Sequence, residues 1–308
     1  MRLDCFQKYE KLYVIKLPYY FQDVGFMKTY FVVVTCRNSE NSIEDALNSL
    51  KNQTLKPEYV IVIDDGSKDK TSEILKRLQN SWNKLYVITN PDLGYDIGRV
   101  ASNWNKAIKF AEELKLTKTD YHMITTDDTI YEEPYAEKIV KMLDVEPNIA
   151  IASGNYDQNV YVTPHGAGRF VRNSFFDTYH HFYPEKMGYE SLVLHTANRH
   201  GYTYKVFNDA RFIHTRELGK DHHFYEFGAS MRTLGYHPLF VMGRFFLYFV
   251  KGRPIGRRGA IYMLYHYLKY TPKDVGYDSM YDSDTRGFIR DSQCRKIKNI
   301  LKGKMTKN

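Results

Sequence analysis

Apolar residues in the first half of the chain fall in short unbroken runs. Each run ends in polar residues and gives way to a stretch with helical spacing. Tyr30 to Val34 (YFVVV) is rich in Val, as expected of a strand covered on both faces. It ends in Thr35-Cys36-Arg37-Asn38. From Ser42, an expected N-cap, the residues Ile43, Ala46, Leu47 and Leu50 form one stripe and predict a helix to Gln53. Tyr59 to Ile63 (YVIVI) predicts a second buried strand ending in Asp64-Asp65-Gly66-Ser67, and a polar helix follows over Thr71 to Leu78. Leu85 to Thr89 is a third strand, and Gly98 to Leu114 a helix. Tyr121, Met123 and Ile124 begin a further strand that runs into Asp127-Asp128. Pro134 opens a helix to Leu143, and Ile149 to Ala152 is one more strand. This alternation predicts an α/β fold of Rossmann-like kind, a mostly parallel sheet with helices on both faces.

After Gly154 the pattern breaks. Asn155 to Lys186 reads as loop-rich and aromatic, with no clean period. A helix over Glu190 to His200 and a short strand near Tyr204 to Phe207 are expected. From Leu218 onward the chain reads as helical and basic, with amphipathic helices over Leu239 to Val250, opened by Pro238, and Arg258 to Tyr270. Asp284 to Gly303 reads as a charged tail, expected to be partly disordered. Residues 1–26 are an N-terminal extension, in which LYVIKLPYYF suits an added strand or a packed arm. Residues 27–215 are the main α/β domain and 216–308 a helical, basic C-terminal region.

Thr35, Asp65 and Asp128 each follow a β-rich run, so in one parallel sheet they leave from the same edge. Open α/β sheets bind ligands at that edge. The adjacent carboxylates of Asp127 and Asp128 repel, and a divalent cation or solvent must balance them. Oxygen ligands of this kind suit Mg²⁺ or Mn²⁺ carrying a phosphate. The competing local reading is an acidic turn capping the next helix. Asp65 can accept hydrogen bonds from a base N–H or a ribose hydroxyl, or serve as a turn residue before Gly66. A GxGxxG fingerprint and a Walker A loop are both missing, which weakens dinucleotide and P-loop readings.

At 308 residues the chain suffices for one large or two ordinary domains, and 43% hydrophobic with 26% charged residues is globular composition. The net charge of +8 favours nucleic acid, an anionic membrane surface or a phosphorylated substrate. No nucleic-acid fingerprint is present, which leaves the last two. The 27 Tyr and 18 Phe suit sugar stacking or a membrane interface, with core packing the plainer account of most of them. Cys5, Cys36 and Cys294 lie too far apart to resemble a disulfide framework or a zinc site, so a reducing, cytoplasmic location is expected. Met1 to Gly25 mixes charges throughout and does not read as a signal peptide. No stretch approaches the roughly 18 to 20 apolar residues that span a bilayer. The nearest, Phe245 to Val250 between Arg244 and Lys251, suits an interfacial position and a peripheral hold on the inner membrane face.

The stretch FVVVTCRNSENSIEDALNSLKNQTLKPEYVIVIDDGSKDKT resembles the nucleotide-binding start of family 2 glycosyltransferases, inverting enzymes of GT-A fold. TTDDTIYEEP resembles that family's metal-binding DxD region, RVASNWNKAI the basic helix between the two, and GYESLVLHTANRHG the acceptor-side segment with the catalytic base. The resemblance runs from about Lys28 to His214 and makes residues 27–215 a GT-A nucleotide-sugar-binding and catalytic domain. It implies that Thr35, Arg37 and Asp65 hold the nucleoside, with Asp65 on the base. Arg99 would lie near the base or phosphates and Asp127 on the ribose or sugar side. Asp128 would ligate the Mn²⁺ or Mg²⁺ that bridges the diphosphate of a UDP- or GDP-sugar, Glu190 would be the general base, and His214 would add a metal or phosphate contact.

The chain departs from the family pattern in places. Thr125 and Thr126 precede the Asp pair where an extra acid is common, and the Ala-Arg-Asn triplet is Asn103-Trp104-Asn105. The Q-x-x-R-W signature of processive synthases is missing, which favours transfer of a single sugar to a glycan or lipid-linked acceptor. Sugar-phosphate nucleotidyl transfer and a catalytically silent nucleotide-sugar-binding relative are the alternatives. For Glu190 the competing reading is the first-turn acid of a helix, and for His214 a satisfied structural histidine. Phe175, Phe176, Tyr179, His180, His181, Phe182 and Tyr183 form an aromatic stretch that either lines the acceptor side or packs on the core. Arg244, Lys251, Arg253, Arg257 and Arg258, set among Phe and Tyr, suit contact with anionic lipid, a solvated face or an oligomer contact.

Overall fold

The computed structural model describes residues 28–156, 163–217 and 223–302; the extension over 1–26 lies outside the described residues. The first half follows the order the hydrophobic pattern predicts: β1 (Tyr30–Cys36), α1 (Ile43–Lys51), β2 (Val60–Asp64), α2 (Thr71–Ser81), β3 (Leu85–Thr89), α3 (Arg99–Glu113) and β4 (Tyr121–Thr126). Then come β5 (Thr129–Tyr131), α4 (Tyr135–Val145), β6 (Ile149–Tyr156), β7 (Arg169–Arg172), α5 (Asn173–Tyr179), α6 (Tyr189–Arg199) and β8 (Thr203–His214). Four helices close the chain: α7 (Tyr225–Thr233), α8 (Pro238–Lys251), α9 (Gly256–Lys269) and α10 (Ser283–Leu301).

The eight strands lie in the order β3-β2-β1-β4-β7-β6-β8-β5. β1 pairs in parallel with both β2 and β4, and β2 with β3. The chain therefore winds outward to β3 and returns to the other side of β1. That makes the carboxyl end of β1 and β4 the switch point, where such sheets open a ligand crevice. The far half is mixed: β7 runs antiparallel to β4 and β6, β8 is parallel to β6, and β5 is antiparallel to β8. The expectation of a mostly parallel sheet thus holds for the first half only.

Side-chain alternation along β1 divides the core. Tyr30, Val32, Val34 and Cys36 join one apolar layer with α1, α2 and α4; Phe31 and Val33 join the other with α3, α5 and α6. The predicted stripe of α1 is its buried face, Ile43, Ala46, Leu47 and Leu50. Each of the three large residues contributes about 1.5–3 kcal/mol by leaving water. Ser42 stands at the N-cap without a side-chain bond; the amides of Ser42 and Ile43 both donate to the Ser39 carbonyl instead.

Three sequence expectations are corrected here. The segment read as loop over 155–186 holds β7 and α5; its aromatics Phe175, Phe176 and Tyr183 are core, with the Tyr183 hydroxyl 2.7 Å from His122 Nε2. The short strand near Tyr204 is the twelve-residue β8. The charged tail is helix α10, capped by the Asp282 side chain on the Thr285 amide and anchored by buried Ile289. Ile289 joins a separate cluster with Met231, Leu234, Val241 and Met263, against which Leu192 of α6 packs. No described helix is long and apolar enough to cross a membrane. Cys36 and Cys294 are free thiols.

Candidate functional site

Strand register gathers the acids. Thr35 of β1 lies opposite Ile63 of β2 and Thr126 of β4. Asp65 therefore leaves the sheet two residues past one neighbour of Thr35, and Asp127-Asp128 just past the other. With strands about 4.8 Å apart, β2 and β4 carry these acids roughly 10 Å from each other on one rim. Thr35 sits between them.

The two acids of Asp64-Asp65 do different work. Asp64 is fully buried and accepts from Ser67 Oγ and Ser72 Oγ, each at 2.6 Å, tying the loop to α2. Asp65 turns to the rim, where Arg99 at the start of α3 donates to it at 2.9 Å and Asn90 Nδ2 at 3.2 Å. Asn90 also donates to Asn103 at 2.9 Å, so the Asn that replaces the family's Ala joins the same network. Burial works against the Asp65 charge, but the Arg99 and Asn90 hydrogen bonds outweigh it and hold the carboxyl below the usual range. Arg37 does not point at open space: it donates to the carbonyls of Asp65 and Gly66 and, at 2.6 Å, to Asp92 Oδ1. It staples the loop that presents Asp65. Gly66 has φ +71°, and a Cβ there would sit 2.5 Å from Asp92 Cα. Only glycine fits so close to that backbone.

After β4 the chain leaves the middle of the sheet at Asp127-Asp128 and re-enters at its far edge as β5. This three-residue strand, missed in the sequence, sets Thr129 opposite His214 of β8. His214 Nδ1 thereby comes within 3.5 Å of Asp128 Oδ1, while Thr126 Oγ1 donates to the same oxygen at 2.7 Å. Asp127 is buried and accepts from Ser39 Oγ and the Arg37 amide. Arg216, two residues beyond His214, donates to Asp127 and lies 3.6 Å from Asp128 Oδ2. Burial raises the Asp127 carboxyl, only partly offset by Arg216 and Ser39. Burial opposes the charge of Asp128 too, but the contacts of His214, Thr126 and Arg216 prevail and hold it below its usual range. Gln53 and Thr54 fix the chain beyond the pair: Gln53 Nε2 donates to the Glu132 carbonyl, Gln53 Oε1 accepts from the Ala136 amide, and the Thr54 amide donates to Glu133.

Among the described residues no group of three or more His, Cys, Asp and Glu side chains is placed to hold a metal ion. The donor set that is present, Asp128 with His214 beside it, fits a divalent cation in the two-point manner of metals that take their other ligands from water and substrate phosphates.

Glu190 lies in the first turn of α6 with its side chain partly exposed. Arg169, buried in β7 opposite Ile124 of β4, reaches within 3.9 Å of its carboxylate and donates to its carbonyl. A side chain at Gly166 would collide with the Glu190 carboxylate. Sequence reasoning missed a second acid here, Glu226 of α7, which accepts from the Tyr277 hydroxyl at 3.3 Å. Burial first, and then the charge of Glu190, push the Glu226 carboxyl up to about 8. Tyr277 also packs against Gly98, next to Arg99, so the C-terminal region reaches the Asp65 end of the rim as well. In the sequence only the basic and aromatic character of that region points to it.

A family model described as Glycosyl transferase family 2 matches residues 31–251. The chain is 24% identical over 123 residues to the poly-beta-1,6-N-acetyl-D-glucosamine synthase of Staphylococcus aureus, 40% of this chain and 27% of the synthase. It is 31% identical over 102 residues, 32% of each chain, to an uncharacterized glycosyltransferase of Mycoplasma genitalium. The chain thus spans about a quarter to a third of these relatives. Among solved structures, S. aureus TarS superposes with TM-score 0.51 at 17% identity over 78% of this chain and 43% of TarS. The mannosyltransferase PcManGT of Pyrobaculum calidifontis, in complex with GDP-Man and Mn²⁺, superposes with TM-score 0.56 at 14% identity over 92% of this chain and 89% of that one. The fold is GT-A-like. The chain belongs to glycosyltransferase family 2.

Proposed function

We propose that this family 2 glycosyltransferase moves one sugar, with inversion and with the help of Mn²⁺ or Mg²⁺, from a UDP- or GDP-sugar to a hydroxyl of a glycan or lipid-linked acceptor. The observation that carries this reading is the common rim on which Asp65, clamped by Arg99, and Asp128, beside His214, leave β2 and β4, the two parallel strands that flank β1. The solved structures of TarS with UDP-GlcNAc and of PcManGT with GDP-Man and Mn²⁺ support a nucleotide-sugar donor and leave its base open. Residues 27–215 form the catalytic unit in this reading.

Asp65 accepts the base N–H, its carboxylate kept ionised and aimed by Arg99. Thr35 lies between the two acids and borders the nucleoside, and Asp127 faces the ribose and sugar. Asp128 and His214 would hold the cation, which would supply positive charge against the charge that grows on the leaving diphosphate. Glu190 takes the proton from the acceptor hydroxyl on the opposite face of the sugar, a step typically worth about 10²- to 10⁴-fold. Arg169 keeps the Glu190 carboxylate in place. Glu226 keeps its proton at neutral pH and so puts no second charge beside the base. A single in-line displacement inverts the anomeric centre.

A screen of UDP-, GDP- and dTDP-sugars for cation-dependent thermal stabilisation, followed by assay of the released product, tests the proposal. A nucleoside diphosphate and a product of inverted anomeric configuration are expected. Release of pyrophosphate, or retention of configuration, overturns it.

The acceptor side of the proposal extends to lipid. Helices α8 and α9 expose Leu239, Phe246, Leu247, Val250, Ile261, Tyr265 and Leu268, bordered by the exposed cations Lys251, Arg253, Arg257 and Arg258. Arg244, grouped with those cations in the sequence, instead stacks over Phe240 and Tyr236. Apolar surface rimmed by positive charge suits an anionic membrane face.

A further inference from the structure

The rim holds a positive charge that the family resemblance does not assign. We propose that Arg216 is the resident countercharge of the Asp127-Asp128 pair, and that an entering divalent cation displaces it onto the phosphates of the donor. This rests on the nucleotide-sugar reading of the rim. Arg216 spans both acids, donating to Asp127 and reaching within 3.6 Å of Asp128. A guanidinium and a divalent cation cannot share so small a space at low mutual cost, since like charges a few ångströms apart repel strongly at a partly buried site.

The local architecture separates what stays from what moves. His214 is fixed by strand pairing with Thr129, and the Thr215 amide donates to the Asp128 carbonyl at 2.8 Å. Arg216 lies beyond the strand end, and its side chain is 48% exposed, so the guanidinium has a solvent path away from the acids. Arg37, the other guanidinium near the pair, is committed to Asp65, Gly66 and Asp92 and cannot take this role without releasing the loop. Once displaced, Arg216 is still tethered at the acids' edge, within a side chain's reach of a diphosphate held there. Planar guanidinium donors match phosphate oxygens. The exchange keeps the acid pair neutralised both with and without donor. It makes cation binding weak until the phosphates offer Arg216 a second partner.

Calorimetry on the full chain tests this with probes that need no turnover. Mn²⁺ alone is titrated into wild type and Arg216→Ala; UDP or GDP, whichever the wild type binds more tightly, and its nucleoside are then titrated at saturating Mn²⁺. The variant is expected to bind Mn²⁺ alone about tenfold more tightly and the nucleoside diphosphate about tenfold more weakly. Its nucleoside affinity stays at the wild-type value, which also confirms that the variant is folded. Arg216→Lys, with charge but no fork, lies between on Mn²⁺ affinity. An Mn²⁺ affinity that is unchanged or weaker in Arg216→Ala, with nucleotide still bound, overturns the exchange and leaves the donor-site reading intact. Failure of the wild type to bind either nucleoside diphosphate overturns both.

Discussion

Replacing Glu226 by Gln removes a carboxyl that the fold holds protonated, and the consequence for stability can be worked from its surroundings. Burial and then the charge of Glu190 raise this carboxyl from its ordinary 4.5 to about 8, against the hydrogen bond from Tyr277. Below pH 4.5 both folded and unfolded chains keep the proton, and the folded state has its full stability. Between 4.5 and about 8 the unfolded chain gives the proton up while the folded chain does not, so stability falls as pH rises; above about 8 it levels off. At 1.36 kcal/mol per unit the ceiling on this loss is about 5 kcal/mol. Partial solvent access and the coupling to Glu190 reduce it to about 2 kcal/mol between pH 5.5 and 8.5. Gln has the shape of the protonated acid and can still accept from Tyr277, but it does not titrate. Urea denaturation followed by tryptophan fluorescence should therefore find the two proteins nearly equal at pH 5.5 and Glu226→Gln more stable by about 2 kcal/mol at pH 8.5. Stability curves that run parallel across that range would refute the buried-acid account and, with it, the neutral partner assigned to Glu190.

Glu190→Gln should lower transfer by at least about 10²-fold while donor affinity by calorimetry changes little; unchanged turnover removes it as the base. Arg99→Ala frees Asp65 from its clamp and should weaken uridine or guanosine binding about tenfold without altering Mn²⁺ affinity, a loss of one charge-assisted pair. Gly66→Ala sets a Cβ against the Asp92 backbone at positive φ and should cost about 1–3 kcal/mol in urea denaturation. Liposome co-sedimentation should show salt-sensitive binding to anionic vesicles that Arg257→Glu with Arg258→Glu abolishes; binding that ignores salt counts against the membrane face.

The sequence by itself determined the inner half of the fold and much of the rim. Continuous apolar runs such as YFVVV and YVIVI are buried whatever covers them, and the 3.6-residue stripe of α1 fixes its inward face. For that reason β1, β2, β3, β4 and the helices between them fall close to where the pattern sets them, and Asp65 and Asp127-Asp128 fall at strand ends. Tertiary structure alone decided the rest, because the cause there is a partner distant in the chain. β5 is three residues long and exists only through its pairing with β8, yet that pairing is what brings His214 to Asp128. The same holds for β7, a strand only between β4 and β6, and for α10, whose charged sequence hides the buried Ile289 and Gln293 that dock it. Arg216 on the acid pair, and Glu226 and Tyr277 beside Glu190, carry no local signature at all. A charge or a hydroxyl reads the same in solvent as in a site until the chain folds something opposite it.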